Sequence, residues 1–393
     1  MTGATPGNYS LPMQRVAIEK VAGYDHSQVK EGLVRLLSHL GGMAAFVRPG
    51  ERVLLKPNML YGKPPEAAVT THPAVLRGVI ELVQEAGGMV LVGDSPGVGS
   101  LRAVAQKSGM LEVIEGSGAE LVEFREVRQV KGVGVFKRLE VATPYLDADR
   151  VINLPKLKTH EMMTLTCGVK NLFGTVVGAA KPAWHLRAGD DREMFARVLL
   201  ELYLVRPPEL TIVDAIVAME GDGPGSGDPR HVGLLLAGAN PVAVDVIAAE
   251  IAGMPKNLLF VERQAMKMGL AGSDRGSIAT LGTPLAELRI PPFRLPPIAD
   301  VQFGLPRFLR TRLRNQLTTR PVVMPEKCRL CGICVKACPP GAMAVKGGRI
   351  GVDYRHCIRC FCCRELCPEA ALEVKKGFLL RLLEARKKIS GRH

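Results

Sequence analysis

The chain has 393 residues, is 47% hydrophobic but only 5% aromatic, and carries a formal net charge of +14. That leaves room for two or three domains with a sizeable core. No run approaches the roughly 18 consecutive apolar residues of a membrane helix, and MTGATPGNYSLPMQR at the N-terminus has no apolar segment behind a basic one, so a cytoplasmic protein is expected.

From about residue 15 to 270, short β-branched runs alternate with helical stretches, the pattern of an open, mostly parallel α/β sheet with helices on both faces. Strands are expected at 15–21, 52–58, 89–96, 119–124, 149–157, 210–220 and 232–239, and helices near 27–40, 74–86, 100–108, 191–205 and 242–252. Ser100 can cap the helix that Gly109 ends, and Gly87-Gly88 follows another. Residues 127–142 read as a hairpin turning about Gly132 and Gly134. The α/β domain is taken as 1–282. Residues 283–320 form a linker, with six prolines in 283–306 and a basic amphipathic helix over 303–320. A cysteine-rich domain spans 321–375, with a hairpin at 342–354 turning on Gly347-Gly348, and a basic helix or tail fills 376–393. The two basic stripes suit packing on their own protein better than docking to a membrane surface or to an acidic electron-donor protein. Nucleic-acid binding lacks support, because no aromatic residues are interleaved with the basic runs.

In open α/β sheets, ligands collect at the carboxyl ends of the strands, and those ends are chemically unusual here. One strand ends in Lys56-Pro57-Asn58, the next in Gly93-Asp94-Ser95-Pro96-Gly97, and the fifth runs into Lys156, Lys158 and His160. Downstream lie Cys167-Gly168-Val169-Lys170-Asn171, Lys181-Pro182-Ala183-Trp184-His185, and Asp222-Gly223-Pro224-Gly225. Singly, these read as solvated charges and turns. Together, Lys56, Lys156, Lys158, His160 and Lys170 gather cationic or proton-donating groups at one sheet edge, so an anionic small-molecule ligand is expected. The glycines would let backbone N–H groups approach it. Lys156, Lys158, Lys170 and His160 are the catalytic candidates, with His160 as general acid. Lys56, Asn58, Asp94, Ser95, Gly97, Asn171, Gly223 and Gly225 are the binding candidates. Asp94 and Asp222 could orient lysines or bind a metal. Cys167 reads as a buried thiol, or alternatively as a reactive one with a lowered pKa. Neither a dinucleotide nor an ATP-binding glycine motif is present.

Nine of the ten cysteines fall between Cys328 and Cys367, in CRLCGICVKACPP and CIRCFCCRELCPE. Each run contains C-x-x-C-x-x-C-x-x-x-C-P, the spacing by which bacterial ferredoxins hold 4Fe-4S clusters, and two copies imply two clusters. Zinc sites space their pairs more widely, and disulfides are disfavoured in a chain without a secretion signal. The resemblance to two-cluster ferredoxins implies cross-wiring, in which the cysteine before the proline serves the other cluster. One set is then Cys328, Cys331, Cys334 and Cys367, and the other Cys357, Cys360, Cys363 and Cys338. Cys362 also offers itself as third ligand of the second run, but Cys363 keeps the register to Cys367, leaving Cys362 as a spare thiol. With each cluster contributing about −2, the loaded chain would sit near a charge of about +10.

The motifs LLKPNM, VGDSPG, INLPKLKTHEMMTLTCGVKNLFG, IVDAIVAMEGDGPGSGDP and NPVAVDVIAAEIAG, in that order over residues 14–270, resemble the domain-of-unknown-function 362 family, whose members often carry a C-terminal ferredoxin module. The resemblance implies an iron–sulfur-associated protein, fixes no substrate, and points to the residues of those motifs as the site. The function expected is an iron–sulfur oxidoreductase passing electrons between a soluble donor or acceptor protein and an anionic ligand. Two alternatives remain: an electron-transfer or docking module without chemistry of its own, and a cluster or cofactor maturation protein. A flavin is compatible as a two-electron converter, but no signature demands one.

Overall fold

The structure is a computed structural model that describes residues 13–178, 180–189, 191–296, 316, 319–379 and 381–382. Its elements run β1 (Gln14–Lys20), α1 (His26–Ser38), β2 (Arg52–Pro57), α2 (Pro73–Glu85), β3 (Met89–Val92), α3 (Leu101–Lys107), α4 (Met110–Gly116) and β4 (Glu120–Leu121). A hairpin of β5 (Val127–Lys131) and β6 (Arg138–Ala142) then leads through α5 (Thr143–Asp147) to β7 (Arg150–Leu154), β8 (Lys156–His160), β9 (Thr164–Thr166), α6 (Gly168–Asn171) and α7 (Ala180–Ala188). The larger part closes with α8 (Arg192–Val205), β10 (Leu210–Glu220), β11 (Asp228–Gly238), α9 (Pro241–Ile251), α10 (Phe260–Lys267) and β12 (Ile278–Gly282).

One sheet carries the larger part, in the order β12-β1-β11-β10-β7-β2-β3-β4, with β8 and β9 attached beside β10. β11 runs against both neighbours, whereas β10, β7, β2, β3 and β4 pair in parallel. The two-residue period of the strands divides the core. Val53, Leu55, Ile152 and Leu154 face α1 and α2, where Leu33, Leu36, Val79 and Ile80 are buried. Leu54 and Val151 face the opposite layer, with Phe195 and Leu199 of α8. Helix starts follow their caps: Asp25 accepts from the Ser27 and Gln28 N–H groups, Ser100 from Ala103, Asp191 from Met194, and Asn240 from Val242 and Ala243. The expected α/β class, helices and hairpin 127–142 are thus present.

The expected strand 149–157 is two strands. Pro155 ends the pairing of β7, and β10 is long enough to pair first with β7 at Leu210 and Thr211 and then, across a register shift, with β8 at Asp214 and Met219. Lys156, Lys158 and His160 therefore lie on a buried strand and not in a loop at a strand end. The strand expected at 119–124 shrinks to Glu120–Leu121, and β12 and α10 add elements that local pattern had not marked.

Residues 288–296 run extended over the body, with the buried Phe293 donating its N–H to Ala252 O. The expected helix 303–320 lies outside the described residues apart from 316, 319 and 320, and the tail beyond 382 lies outside them altogether. The cysteine-rich part begins slightly earlier than expected, with β13 (Thr319–Val323) paired to β16 (Leu372–Lys376). Between them are the hairpin β14 (Met343–Lys346) and β15 (Arg349–Val352), turning on Gly347 and Gly348 at positive φ, and two single-turn helices, Ile333–Lys336 and Cys362–Glu365.

Candidate functional site

The cysteines form no disulfide. Cys328, Cys331, Cys334 and Cys367 line one small apolar cavity together with Val323, Ile333, Ile350 and Leu372. Around Cys363, burial raises the thiol pKa first, and the nearby Cys360, Cys357, Cys338 and Cys334 raise it further. The first four cysteines thus gather as the cross-wired spacing expects, and four soft donors of this kind suit a 4Fe-4S cluster. Among the described residues, no three His, Cys, Asp or Glu side chains converge on a single-ion site. The Ala342 and Ala371 N–H groups donate to Cys338 Sγ (3.2 Å) and Cys367 Sγ (3.3 Å), bonds of the kind that tune a cluster from its surroundings. Cys362 hydrogen-bonds Cys360, which raises its own pKa and lowers that of its neighbour, in keeping with a protonated thiol beside a ligand.

The cluster region sits against the sheet edge. Arg364 is buried, donating to Leu372 O from Nε while its guanidinium meets Glu161 and lies 2.8 Å from Asp222. Lys63 Nζ donates to Pro368 O at 2.8 Å. Leu366 lies over Gly97, where any side chain would collide with it. Asp222 thus serves this contact, and among the described residues it bonds to no lysine and joins no metal-binding group.

Between the two parts lies a cavity of about 390 Å³. From the sheet edge it is lined by Asn58, Asp94, Ser95, Gly97, Lys158, Lys170 and Asn171, all expected from sequence, and by Lys181, His185, Phe173 and Pro224. From the cluster region come Ile333, Lys336, Ala337, Cys362, Glu365 and Leu366. A hydrogen-bond chain fixes the polar floor. Lys158 Nζ donates to Asn58 Oδ1 (2.9 Å) and Val69 O (2.7 Å), Asn58 Nδ2 to Asn171 Oδ1 (2.9 Å), and Asn171 Nδ2 to Asn153 Oδ1 (2.8 Å). Behind it, the fully buried Lys56 pairs with Asp94 at 2.8 Å, and Asp94 also accepts from the Met59 and Ser95 N–H groups. Lys181 donates to the Ser95 and Pro96 carbonyls. Lys170 lies 5.5 Å above the Phe173 ring and makes no hydrogen bond or ion pair to the described residues.

Burial sets the electrostatics. It pushes Lys158 down to about 7, with Glu365 opposing and Lys170 reinforcing, and Lys181 down to about 8. His185 falls to about 3 for the same first reason. Burial alone would raise the Glu365 carboxyl, but Lys170 and His160 hold it well below the usual carboxylate range.

Several expected site residues are elsewhere. Lys156 bonds to Asp214 (2.8 Å) and the Tyr24 hydroxyl (2.7 Å) and does not line the cavity. Nor does His160. Its Nδ1 accepts from the Met162 and Met163 N–H groups, and its Nε2 faces Glu365 at 3.6 Å. Burial first, then Lys170, pushes its pKa down to about 4, so the ring is neutral near pH 7 and one side chain removed from any ligand. Gly223 presses on the Thr159 backbone and Gly225 on Tyr61, so both glycines serve chain packing. Cys167 is fully buried, and burial and Asp245 raise its pKa, as suits the buried thiol and not one with a lowered pKa. Lys181 and His185 stood in a quoted motif without a role, while Lys336 and Glu365 carried no local signal of their approach.

Fold and site together define a mostly parallel α/β protein whose sheet edge is capped by a ferredoxin-type cysteine region. Residues 53–250 match the family described as a domain of unknown function (DUF362), and residues 320–368 match a 4Fe-4S dicluster domain. The chain belongs to the DUF362 family. It is 40% identical over 307 residues, 77% of this chain and 94% of the relative, to the thylakoid-associated protein sll1697 of Synechocystis sp.. Two solved structures are similar at the level of fold. The lactate racemase apoprotein of Thermoanaerobacterium thermosaccharolyticum has a TM-score of 0.41, 11% identity, and coverage of 65% of this chain and 60% of that one. A Thermotoga maritima protein has a TM-score of 0.39, 13% identity, and coverage of 64% and 61%. The 4Fe-4S dicluster region points to electron transfer. No helix among the described residues is long and apolar enough to cross a membrane.

Proposed function

We propose that the protein is an iron–sulfur oxidoreductase in which two 4Fe-4S clusters exchange electrons with an anionic small molecule held in the cavity. One observation carries the reading: Cys362 and Glu365, on either side of the cluster ligand Cys363, form one wall of the cavity whose other wall holds Lys158, Lys170 and Lys181. The exposure of the cysteines supports a direction through the region. In the first set Cys331 is exposed and Cys328 half-buried, with Cys334 and Cys367 buried, whereas in the second Cys357, Cys360 and Cys363 are buried and only Cys338 is half-buried, and the neighbouring Cys362 lines the cavity. A soluble donor or acceptor protein would meet the first edge, and the ligand the second.

When bound, each cluster supplies or accepts one electron. The chain's own residues do the rest. Lys170, whose side chain has no hydrogen-bond partner among the described residues, would neutralise the anion, and the Lys56–Asp94 pair with Lys181 holds the Ser95–Gly97 turn in the cavity wall. Lys158, near neutrality and pinned by Asn58 and Val69 O, takes over the proton-donating role that sequence had assigned to His160. In the reducing direction, the two cysteine sets would hold the clusters that supply two electrons to the ligand, and two protons must accompany them: the Lys158 ammonium would give one and be reprotonated by solvent, which would also supply the other. The donor protein then restores the electrons.

The test uses full-length protein purified without oxygen, carrying about eight irons per chain. Its clusters are reduced by dithionite and offered a panel of carboxylates and phosphate esters with reducible bonds. Reoxidation of the visible absorbance by a panel member, lost in Lys170→Met with the clusters retained, is the expected result. No reoxidation by any member, or an equal rate in the variant, rejects the reading.

A further inference from the structure

The cavity is lined by two unlike kinds of residue. Lys158, Lys170 and Lys181, with Lys336 from the cluster region, outnumber the acidic Glu365 and the Lys56-paired Asp94. The rest of the lining is largely apolar and comes from both parts of the chain: Leu60, Val98 and Phe173 from the sheet edge, and Ile333, Ala337 and Leu366 from the cluster region. Small inorganic anions would be served by the lysines and backbone alone and would leave this apolar surface wet. A site of about 390 Å³ falls within the range of about 300–1,000 Å³ typical of organic ligands, which bury most of their surface on apolar side chains while a few polar groups fix orientation.

Resting on the reading above and narrowing it, we infer that the ligand is an amphipathic organic anion. Its charged head lies at Lys158 and Lys170, and its apolar or aromatic body lies along Val98, Phe173, Ile333 and Leu366. Both parts of the chain supply lysines and apolar side chains to the cavity, so head and body contacts together set the affinity. The burial that depresses the Lys158 and Lys181 pKa values supports the same geometry, because an arriving anion restores their charge and draws protons in.

The inference is tested by calorimetry on anaerobic, cluster-loaded protein with four probes: trans-cinnamate, acetate, inorganic phosphate and cinnamyl alcohol. Cinnamate has head and body, acetate and phosphate a head only, and the alcohol a body only. At least tenfold tighter binding of cinnamate than of each of the other three is expected, with proton uptake between pH 7 and 8 shown by buffers of different ionisation enthalpy. Lys170→Met should weaken cinnamate about tenfold by removing the head partner, and Val98→Asp should do the same from the apolar side. Each variant is first checked for unchanged cluster absorbance, and the Lys170 side chain makes no hydrogen bond among the described residues. Acetate or phosphate binding as tightly as cinnamate, or no binding of cinnamate, overturns the inference. Reoxidation of the clusters by a panel member that lacks an apolar body, alongside such a result, would leave the oxidoreductase reading intact and reject only the ligand class.

Discussion

Lys56 and Asp94 form an ion pair of 2.8 Å in which both side chains are shielded from solvent, directly beneath the lysine-lined cavity. Two charges in such a place are costly unless each satisfies the other, and removing one strands the partner. Asp94→Asn should therefore destabilise the protein by about 3–5 kcal/mol, whereas the double change Lys56→Met with Asp94→Leu should cost distinctly less. Denaturant unfolding of the two variants decides this, and equal losses would mean that the pair is not what holds the turn.

Gly174 presses on the same pair. A methyl group on its Cα would overlap Asp94 Oδ1 and the Lys56 ammonium, neither of which has room to retreat. Gly174→Ala should lower the melting temperature by several degrees and disturb the Ser95–Gly97 turn. Gly178, with open space at its Cβ position, is the matched control on the same stretch of chain, although its positive φ makes a small loss expected there too.

Glu262 gives the stability a pH dependence whose sign can be worked out. Burial raises its carboxyl to about 8, with Asp245 adding to the shift. A folded-state pKa above the unfolded one near 4.5 means that the neutral acid's contribution is complete below about 4.5 and is lost as pH rises towards 8. Glu262→Gln should therefore change little at pH 5 and stabilise the protein at pH 8, on the order of a few kcal/mol. Unfolding curves at pH 5, 6, 7 and 8 check the slope, which Asp245, raised to about 7 by its own burial, will only partly maintain.

Cys362 and Cys363 are adjacent, and only one can complete the second cluster set. Cys363→Ala should lose about half of the bound iron, while Cys362→Ala should keep all of it. Iron analysis with low-temperature spectra of the reduced state distinguishes them. The reverse pattern would reassign the ligand.

Arg364 joins the cluster region to the sheet through Asp222 and Glu161. Arg364→Ala leaves Glu161 buried without its cation and should loosen the contact while sparing the cysteine sets. Faster amide exchange in β8 and in residues 95–98, with unchanged cluster absorbance, is the expected signature.

Much of this architecture was legible because its signals are local. The strands of 52–57 and 89–92, the Ser100 and Asp191 caps and the cysteine spacing all act through near neighbours in sequence, and Lys170, Asn58 and Asn171 follow from strand-end logic, whereas Lys158 reaches the cavity from within β8. The errors arose where the partner is remote. Lys156 looked like an exposed strand-end charge, yet Tyr24 and Asp214 make its burial tolerable from positions 132 and 58 residues away. β8 exists only because β10 outruns β7, which nothing in LPKLKTH announces. Lys336 and Glu365 reach the cavity through a contact between two parts of the chain, and the spacing rules of each part are silent about the other.

The mixed parentage of the cavity wall also gives the clusters a second use. Six lining residues belong to the cysteine-bearing part and the rest to the sheet edge, so a molecule bound between them ties the two together and is favoured by whatever favours their contact. Occupancy at the lysines then changes the surroundings of Cys363 without touching it. The reduced protein's magnetic resonance spectrum should thus act as a built-in gauge, reading out a colourless ligand through the line shape of its nearest cluster.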